Sequence, residues 1–214
     1  MRVEAIVPAY NEEATVAATV HPLVRSGLNR VTVVDDGSRD RTAQVAAAAG
    51  AQVHRMERNV GKGAAMKSAI DAALARGTHV LVFFDADLMG LRPEHVQALT
   101  RPVTTGRACM VVGLQDRSPL VNMMQAAMPP ISGQRAVRAD VVRRVPDQFW
   151  RGYRIEMGLN RAGELTGPVL LRVLPGLQAI NKTAKVGAEQ GTVQNLKMMR
   201  EVLQAMKDAR EEIR

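Results

Sequence analysis

Short apolar runs alternate with longer helical patterns through the first hundred residues, and this alternation is the strongest constraint on the fold. The apolar runs have the length of strands, and the stretches between them, about ten or more residues each, have the length of helices. Strands that alternate with helices form βαβ units, which predicts an α/β fold with a mostly parallel central sheet and helices on both faces. The predicted strands are Val3–Val7, Val31–Val34, Gln52–Met56 and Val80–Phe84, and the predicted helices are Glu12–Ser26, Asp40–Ala49 and Lys62–Ala75.

Polar or acidic residues stand where each of these four strands ends. The segments are PAYNEE at 8–13, DDGS at 35–38, NVGKG at 59–63 and DAD at 85–87. In open α/β sheets, ligands bind beyond the carboxyl ends of the strands. The sequence therefore predicts a ligand site formed by these four segments.

The aspartates of the DAD segment, Asp85 and Asp87, are a candidate metal site. Side chains two positions apart in an extended segment point the same way, so two carboxylates can share one hard cation. Mg²⁺ or Mn²⁺ usually takes one or two protein carboxylates and completes its shell with water and phosphate oxygens. The alternative is that both aspartates are solvated and cap the next helix.

The other strand ends carry weaker signals. One carboxylate of the DDGS segment is a candidate acceptor for a base N–H or a ribose hydroxyl, although DDGS is also a common turn and helix cap. Lys62 is placed to reach a nucleotide, or is an ordinary solvated lysine at a helix start. The GKG segment lacks P-loop spacing, and no GxGxxG motif follows the first strand, which argues against a nicotinamide dinucleotide enzyme.

Charge and composition narrow the class of protein. The chain has 29 basic and 21 acidic side chains, a net charge of +8, with 16 of the basic ones in residues 108–214. This excess suits phosphorylated small molecules or an anionic membrane surface, but only 3% of residues are aromatic, which argues against nucleic acid. One cysteine, Cys109, excludes a disulfide framework, and no apolar run approaches the roughly 20 residues that span a bilayer. A strand predicted from Val3 leaves no room for a signal peptide, so we expect a cytoplasmic protein, with peripheral contact to the inner face of the membrane left open.

Four motifs, VPAYNEE, VVDDGSRDRT, NVGKGAAMKSA and FFDADL, in this order and at this spacing, resemble the nucleotide-binding half of family 2 glycosyltransferases of the GT-A fold. The chain looks most like the dolichyl- or polyprenyl-phosphate sugar synthases and the glucosyl-3-phosphoglycerate synthase type. The resemblance is strong over residues 3–90 and thin beyond them. It implies one GT-A-like domain over 1–214, with a nucleotide-sugar-binding half at 1–107, an acceptor-binding half at 108–191 and a C-terminal amphipathic helix at 192–214.

The resemblance also implies a donor, a cofactor and a set of site residues. The donor is a nucleotide diphosphate sugar, usually UDP- or GDP-linked, and Mg²⁺ or Mn²⁺ is held by Asp87 and Asp85. Such a cation acts as a Lewis acid that neutralises charge on the departing diphosphate. Asp36 accepts a hydrogen bond from the base, and Lys62 helps to hold the donor. The remaining residues of the nucleotide-sugar site are Pro8, Ala9, Tyr10, Glu12 and Ala86.

Two segments of the second half resemble acceptor-site segments of the family. ISGQR at 131–135 resembles the Ser-Gly-x-Arg segment beside the sugar and acceptor, which implies roles for Ser132, Gly133 and Arg135, unless it is only a tight turn. GYRIE at 152–156 resembles the segment that supplies an acidic residue, so Glu156 is the candidate general base and Arg154 a candidate acceptor ligand. Glu156 would take the proton of a hydroxyl acceptor, or orient the sugar if the acceptor is a phosphate. A salt bridge to an arginine is the alternative.

Six arginines flank these two segments, more than solubility requires. Guanidinium groups match phosphate oxygens in a bidentate manner. We therefore expect a phosphorylated acceptor, either a small molecule or a polyprenyl phosphate. The arginines are Arg135, Arg138, Arg143, Arg144, Arg151 and Arg154.

The chain departs from the family pattern at the metal site. Some relatives have Gln two residues after the second aspartate, where this chain has Met89, which is a poor ligand for a hard cation. Others use a late histidine, but Leu177–Gly187 contains none. The oxygens of Gln178 or Asn181 are weak candidate substitutes.

The C-terminal residues carry an amphipathic helical pattern. Its apolar stripe is predicted at Leu196, Met199, Leu203, Met206 and Ile213. Docking of this stripe on its own domain is one interpretation, and pairing with a second subunit in a homodimer is the other.

These observations predict a metal-assisted glycosyltransferase that moves a hexose from a nucleotide diphosphate sugar to a phosphorylated acceptor. Two rival functions remain at this stage. A sugar-phosphate nucleotidyltransferase would normally have a Gly-rich basic loop after the first strand, where this chain has Ala9-Tyr10-Asn11-Glu12. A non-catalytic protein that binds nucleotide sugars would retain the pocket without needing the metal.

Overall fold

The computed structural model describes residues 1–118, 123, 130–152, 154–179 and 188–214, and of residues 188–199 only the helical backbone. No helix within these ranges is long and apolar enough to cross a membrane. The strands are β1 (Val3–Ala9), β2 (Arg30–Asp35), β3 (Gln52–Arg55), β4 (Val80–Phe83), β5 (Leu88–Met89), β6 (Met110–Gln115), β7 (Arg135–Arg138), β8 (Val169–Leu174) and β9 (Gln178–Ala179). The helices are α1 (Val16–Arg25), α2 (Thr42–Ala48), α3 (Lys62–Ala75), α4 (Pro93–Thr104), α5 (Ala139–Arg143), α6 (Arg154–Thr166) and α7 (Ala188–Glu212), with a 3₁₀ turn at Asp147–Phe149.

Seven strands form the central sheet, in the order β3-β2-β1-β4-β7-β6-β8. Strands β1 to β4 run parallel, β7 is antiparallel to both of its neighbours, and β6 pairs in parallel with β8. The predicted α/β class with a mostly parallel sheet is confirmed. Because β7 runs in the opposite direction, the segment just before it, residues 130–134, lies at the same edge of the sheet as the carboxyl ends of β1 and β4.

The inner strands β1, β2, β4 and β6 are buried on both faces, as apolar strands of a mostly parallel sheet require, while the edge strand β3 is largely exposed. Successive residues of β4 alternate between two cores, with Val80 and Val82 on one face and Leu81 and Phe83 on the other. Helices α1, α2 and α4 cover the first face, while α3, α5 and α6 cover the second. The two-residue strands β5 and β9 form a separate ribbon, which joins the DAD segment to the late part of the chain.

The first helix starts later than the predicted Glu12. Residues 12–15 form a turn in which the Thr15 hydroxyl donates to Glu12 Oε2 at 2.7 Å, and the regular helix begins at Val16. The strand-end loop is therefore longer than the pattern indicated, and it carries Tyr10 and Glu12 over the edge of the sheet.

The C-terminal helix α7 docks on its own domain through a face that matches the predicted stripe in part, since Ile213, directly after the helix, is buried and Met206 is partly buried. Leu203 was assigned to the apolar stripe, but it is 61% exposed, whereas Val202 is buried, and the predicted stripe is wrong at that position. The other buried contacts are made by Ala205, Ala209 and Ile213, which pack with residues of α6. The side chains of Leu196 and Met199 lie outside the described residues.

Candidate functional site

An open cleft of about 470 Å³ lies at the carboxyl edge of the sheet, beyond β1, β2 and β4. It brings together every residue that the sequence assigned to nucleotide-sugar and metal binding. Asn59, Gly61 and Ala179 also line it, although they were not among the predicted site residues. The predicted residues that line the cleft are Pro8, Ala9, Tyr10, Glu12, Asp36, Lys62, Asp85, Ala86 and Asp87.

Hydrogen bonds join the loop after β1 to the loop after β2. The Asn11 N–H donates to Ser38 Oγ at 2.9 Å, and the Arg39 N–H donates to Asn11 Oδ1 at 2.9 Å. Asn11 has a φ of 54°, a left-handed conformation that asparagine tolerates better than most residues. The two loops therefore behave as one wall of the cleft.

In the same wall, the carboxylate of Asp40 accepts several hydrogen bonds. Asp40 accepts the backbone N–H of Thr42 at 2.9 Å and that of Glu13 at 3.2 Å. Burial raises the pKa of Asp40, but the hydroxyl of Thr42 and these backbone donors outweigh it, so the pKa lies below its ordinary value. Asp40 is therefore ionised at neutral pH and helps to hold Glu13 in place.

Asp36 holds the segment that leads into α3. Its carboxylate oxygens accept the backbone N–H of Val60 at 2.8 Å and of Gly61 at 2.9 Å, and the residue is 3% exposed. Gly37 has a φ of +73°, and a Cβ at this position would lie 2.6 Å from the backbone of Arg58. The DDGS segment therefore packs directly against the segment that precedes α3. Asp36 thus places Lys62, the first residue of α3, at the cleft.

Lys62 connects two carboxylates that are far apart in sequence. Its ammonium nitrogen lies 2.8 Å from Asp85 Oδ1 and 3.8 Å from Glu156 Oε1. Burial lowers the pKa of Lys62, but the two carboxylates outweigh it and raise the pKa above its ordinary value. Lys62 is therefore a stable cation between the DAD segment and the predicted general base.

Glu156 is on the first turn of α6 and is 7% exposed. Its Oε2 is buried and has no hydrogen-bond partner among the described residues. With Asp85, Ser132 and Gly133, it lines a small inner cavity that borders the cleft. The structure thus brings Glu156 next to the DAD segment.

The loop before β7 touches Asp85 directly. Gln134 donates from Nε2 to Asp85 Oδ2 at 2.8 Å, and a Cβ on Gly133 would lie 2.4 Å from the same oxygen. Sequence reasoning assigned roles to Ser132, Gly133 and Arg135 but missed Gln134. No local signal marked it, since its partner lies 49 positions earlier in the chain.

The oxygens around Asp85 and Asp87 fit a hard divalent cation that takes few protein ligands. No group of three or more His, Cys, Asp or Glu side chains is clustered for a metal within the described part of the chain. The two carboxylates alone suit Mg²⁺ or Mn²⁺, which completes its shell with water and phosphate oxygens. Met89 is half-exposed and paired with Gln178 across the β5–β9 ribbon, and Asn181 lies outside the described residues.

Arg135 is a buried residue whose contacts are with the protein itself. It is 1% exposed and donates to Asn160 Oδ1 at 2.6 Å and to the carbonyl oxygens of Ser132 at 2.7 Å and Pro130 at 2.8 Å. Burial lowers its pKa to about 10, partly offset by the carboxylates of Glu156 and Asp85, so it stays charged at neutral pH. Its predicted contact with an acceptor remains a prediction.

The arginines of the second half do not form one cluster. Arg154 pairs with Asp208 of α7 at 2.7 Å and lies over the ring of Phe149 at 5.0 Å. Arg138 pairs with Asp140, and together with Arg143 it lines a different cavity, beside Met1. Arg138 and Arg143 therefore do not contribute to a site beside Glu156, because alternation along β7 and the turn into α5 send them in another direction. Their positions do not contradict the expectation of a phosphorylated acceptor.

Comparisons with known proteins bear on this site. A family model described as glycosyl transferase family 2 matches residues 4–150. An uncharacterized protein of Methanocaldococcus jannaschii is 35% identical over 120 residues, which cover 55% of this chain and 49% of that protein. Glucosyl-3-phosphoglycerate synthase of Mycobacterium tuberculosis is 28% identical over 196 residues, which cover 73% of this chain and 59% of that protein. The chain thus spans about half to three-fifths of the length of these curated relatives.

A solved structure shows the same fold. It is the crystal structure of the Mycobacterium tuberculosis synthase in complex with Mn²⁺, uridine-diphosphate-glucose and phosphoglyceric acid, with a TM-score of 0.76 and 23% identity over 97% of this chain and 79% of that chain. This likeness confirms the predicted GT-A-like architecture. Since the family model covers well over half of its residues, the chain belongs to glycosyl transferase family 2.

Proposed function

We propose that the protein is a hexosyltransferase that uses a UDP- or GDP-linked sugar, a divalent cation and a phosphorylated acceptor. The observation that carries this proposal is the convergence of Asp36, Lys62, Asp85, Asp87 and Glu156 on one edge of the sheet. A relative whose crystal structure contains Mn²⁺, a nucleotide sugar and a phosphorylated acceptor supports it.

In this proposal the donor lies in the open cleft. Asp36 presents a fixed carboxylate to the base, because two backbone N–H groups hold its oxygens. Asp87 and Asp85 hold Mg²⁺ or Mn²⁺, which supplies Lewis-acid stabilisation of the diphosphate when it is bound. Lys62, a cation with a raised pKa, lies next to Asp85 and adds positive charge on the same side. The base, ribose and diphosphate are thus held by residues of β1, β2, α3 and the DAD segment.

The acceptor is proposed to approach from the side of the inner cavity. Glu156 has one unpartnered carboxylate oxygen there and is positioned to take the proton of an acceptor hydroxyl. We favour a small phosphorylated hydroxyl compound over a polyprenyl phosphate, since a phosphate acceptor needs no base. Ser132, Gly133, Arg135 and Arg154 border or support this side, and Arg154 remains a proposed phosphate ligand.

We also propose a cytoplasmic location, with contact to a membrane surface and pairing with a second copy as further proposals. The single cysteine, Cys109, is buried, and burial raises its pKa, so it is an unreactive thiol. This is compatible with a reducing compartment. None of the contacts described above requires a lipid or a second subunit.

A thermal-shift panel of UDP- and GDP-sugars, with and without Mn²⁺, identifies the donor. A ligand present at a hundred times its Kd adds about 2.7 kcal/mol to the free energy of unfolding, so a cation-dependent rise in Tm is expected for the true donor. Incubation with that donor, Mn²⁺ and phosphoglycerate should then release free nucleoside diphosphate and a glycosylated acceptor.

Two results would contradict the proposal. Formation of nucleoside triphosphate from the donor and pyrophosphate would indicate a nucleotidyltransferase. Binding that is equally tight without metal, with no turnover of any phosphorylated acceptor, would indicate a non-catalytic binding protein.

A further inference from the structure

The carboxylate of Asp85 is enclosed by groups from both halves of the chain. Lys62 Nζ lies 2.8 Å from Oδ1, and Gln134 Nε2 lies 2.8 Å from Oδ2. Gly133 packs against the carboxylate so closely that an added Cβ would lie 2.4 Å from Oδ2 and 2.7 Å from Oδ1. The position of Asp85 is therefore determined as much by the loop before β7 as by its own strand.

Gln134 is itself rigidly held. It is 1% exposed, and its backbone carbonyl oxygen accepts a hydrogen bond from the backbone N–H of Gly113 at 2.8 Å. Its side-chain Oε1 lies 2.9 Å from the Ser132 hydroxyl, which leaves Nε2 directed at Asp85. The Ser132 hydroxyl also contacts the carbonyl oxygen of Gly113. Turning the amide away from Asp85 would remove the acceptor of its Nε2 group in a buried position.

A neutral amide orients Asp85 without cancelling its charge. A second basic side chain, at position 134, would add positive charge beside the site proposed for a divalent cation, and an acidic one would repel Asp85. Lys62 already supplies a cation to Oδ1, so a neutral donor at Oδ2 leaves Asp85 able to serve a divalent cation through its remaining lone pairs. The residue type at 134 thus suits a carboxylate that must be both fixed and charged.

We propose that Gln134 is a positioning residue for the donor site, although it belongs by sequence to the acceptor segment. It acts through Asp85, setting the orientation of the carboxylate that shares the cation of the donor complex. This inference rests on the proposed glycosyltransferase function. It predicts that a substitution at position 134 raises the KM for the nucleotide sugar and the Mn²⁺ concentration needed for half-maximal rate. The KM for the acceptor should stay unchanged.

The test is steady-state kinetics of Gln134→Met, which keeps the length of the side chain and removes the amide. We expect the KM for the nucleotide sugar and the Mn²⁺ concentration for half-maximal rate to rise about tenfold or more, as for loss of a hydrogen bond to a charged group. The KM for the acceptor should not change. Gln148→Met is the matched control, because Gln148 also donates to a carboxylate, that of Glu212, but on the exposed surface.

A double-mutant cycle separates positioning from a general weakening of the loop. If Gln134 acts through Asp85, Gln134→Met should raise the donor KM and the Mn²⁺ requirement far less in the Asp85→Asn protein than in the wild-type protein. Equal losses in both backgrounds, or a rise in acceptor KM without a change in the metal requirement, would overturn the inference. Titration of Mn²⁺ into the protein with UDP gives a second readout if a variant is too slow to assay.

The two proposals fail in different ways. If the wild-type protein binds no nucleotide sugar and transfers none, the proposed function is lost. If the wild-type protein is active and Gln134→Met matches both wild type and Gln148→Met, only the role of Gln134 is lost.

Discussion

Two aspartates in the first half of the chain, residues 1–107, are held by backbone N–H groups, whereas two arginines of the second half are held by side-chain and carbonyl oxygens. Asp36 and Asp40 each accept two backbone N–H groups. Arg135 and Arg154 instead reach across the second half to other elements. A carboxylate fixed by the backbone can still bind a ligand, while the three hydrogen bonds of Arg135 to oxygen atoms of the protein make that arginine mainly structural.

This difference explains why motif-based prediction fared differently in the two halves. The donor-side segments are short, and each lies at the end of its own strand, so local sequence already determines which way they face. The arginine-rich segments are near in sequence but belong to β7, α5 and α6, which diverge. Proximity in sequence there says little about proximity in space.

The largest expected effect tests the proposed cation site in the first half of the chain. Asp87→Ala should lower kcat/KM with the nucleotide sugar by at least about a hundredfold, because it removes a proposed ligand of the cation that would stabilise charge on the leaving diphosphate. It should also abolish the Mn²⁺-dependent rise in Tm. Asp71→Ala is the control, because Asp71 pairs with Lys67 on the exposed surface of α3. An unchanged Mn²⁺ response in Asp87→Ala would contradict the assignment of the cation.

The next largest effect tests whether Arg135, in the second half of the chain, has a structural role. Arg135→Met should lower the free energy of unfolding by about 2–4 kcal/mol, because it removes the donor to the Ser132 carbonyl oxygen and to Asn160 Oδ1. Urea denaturation measures this. Arg138→Met, which removes a half-exposed pair with Asp140, should cost less than about 1 kcal/mol. Similar losses in the two variants would mean that Arg135 is not the support described above.

A smaller effect decides between two uses of Arg154. If it binds the acceptor phosphate, Arg154→Ala should raise the acceptor KM about tenfold, while Asp208→Ala should not. Both should lower stability by about 1 kcal/mol or less, since the pair is partly exposed. Steady-state kinetics with the acceptor varied make the comparison. Equal acceptor KM values in the two variants would assign Arg154 to the docking of α7 alone.

The smallest expected effect is a pH dependence that arises away from the cleft. Burial of His95, with Arg92 nearby, lowers its pKa, partly offset by the carbonyl oxygen of Pro175 and the charge of Glu94. The folded state then binds a proton less readily than the unfolded state, so stability is full above the unfolded pKa of about 6.5 and falls as the pH drops below it. His95→Gln should flatten this acidic limb of Tm against pH, whereas His21→Gln, at an exposed position, should not. An unchanged limb in His95→Gln would rule out this cause.

Sequence alone determined the α/β class and the four strand ends, and the resemblance to a family added the residues expected in the nucleotide-sugar site. The class and the strand ends follow from local patterns, because the periodicity of apolar residues specifies the element and the polar residue after a buried strand must emerge at the edge of the sheet. Even the unusual DAD segment needed no more than its position after β4 to be singled out.

Tertiary structure alone decided which distant groups meet. The contact of Gln134 with Asp85, the reach of Lys62 to Glu156 and the separation of the arginines all depend on β7 entering the sheet antiparallel between β4 and β6. The burial of Val202 in place of Leu203 depends likewise on how α7 lies against α6. Such contacts are set by the order, direction and rotation of packed elements, which no local spacing of residues encodes.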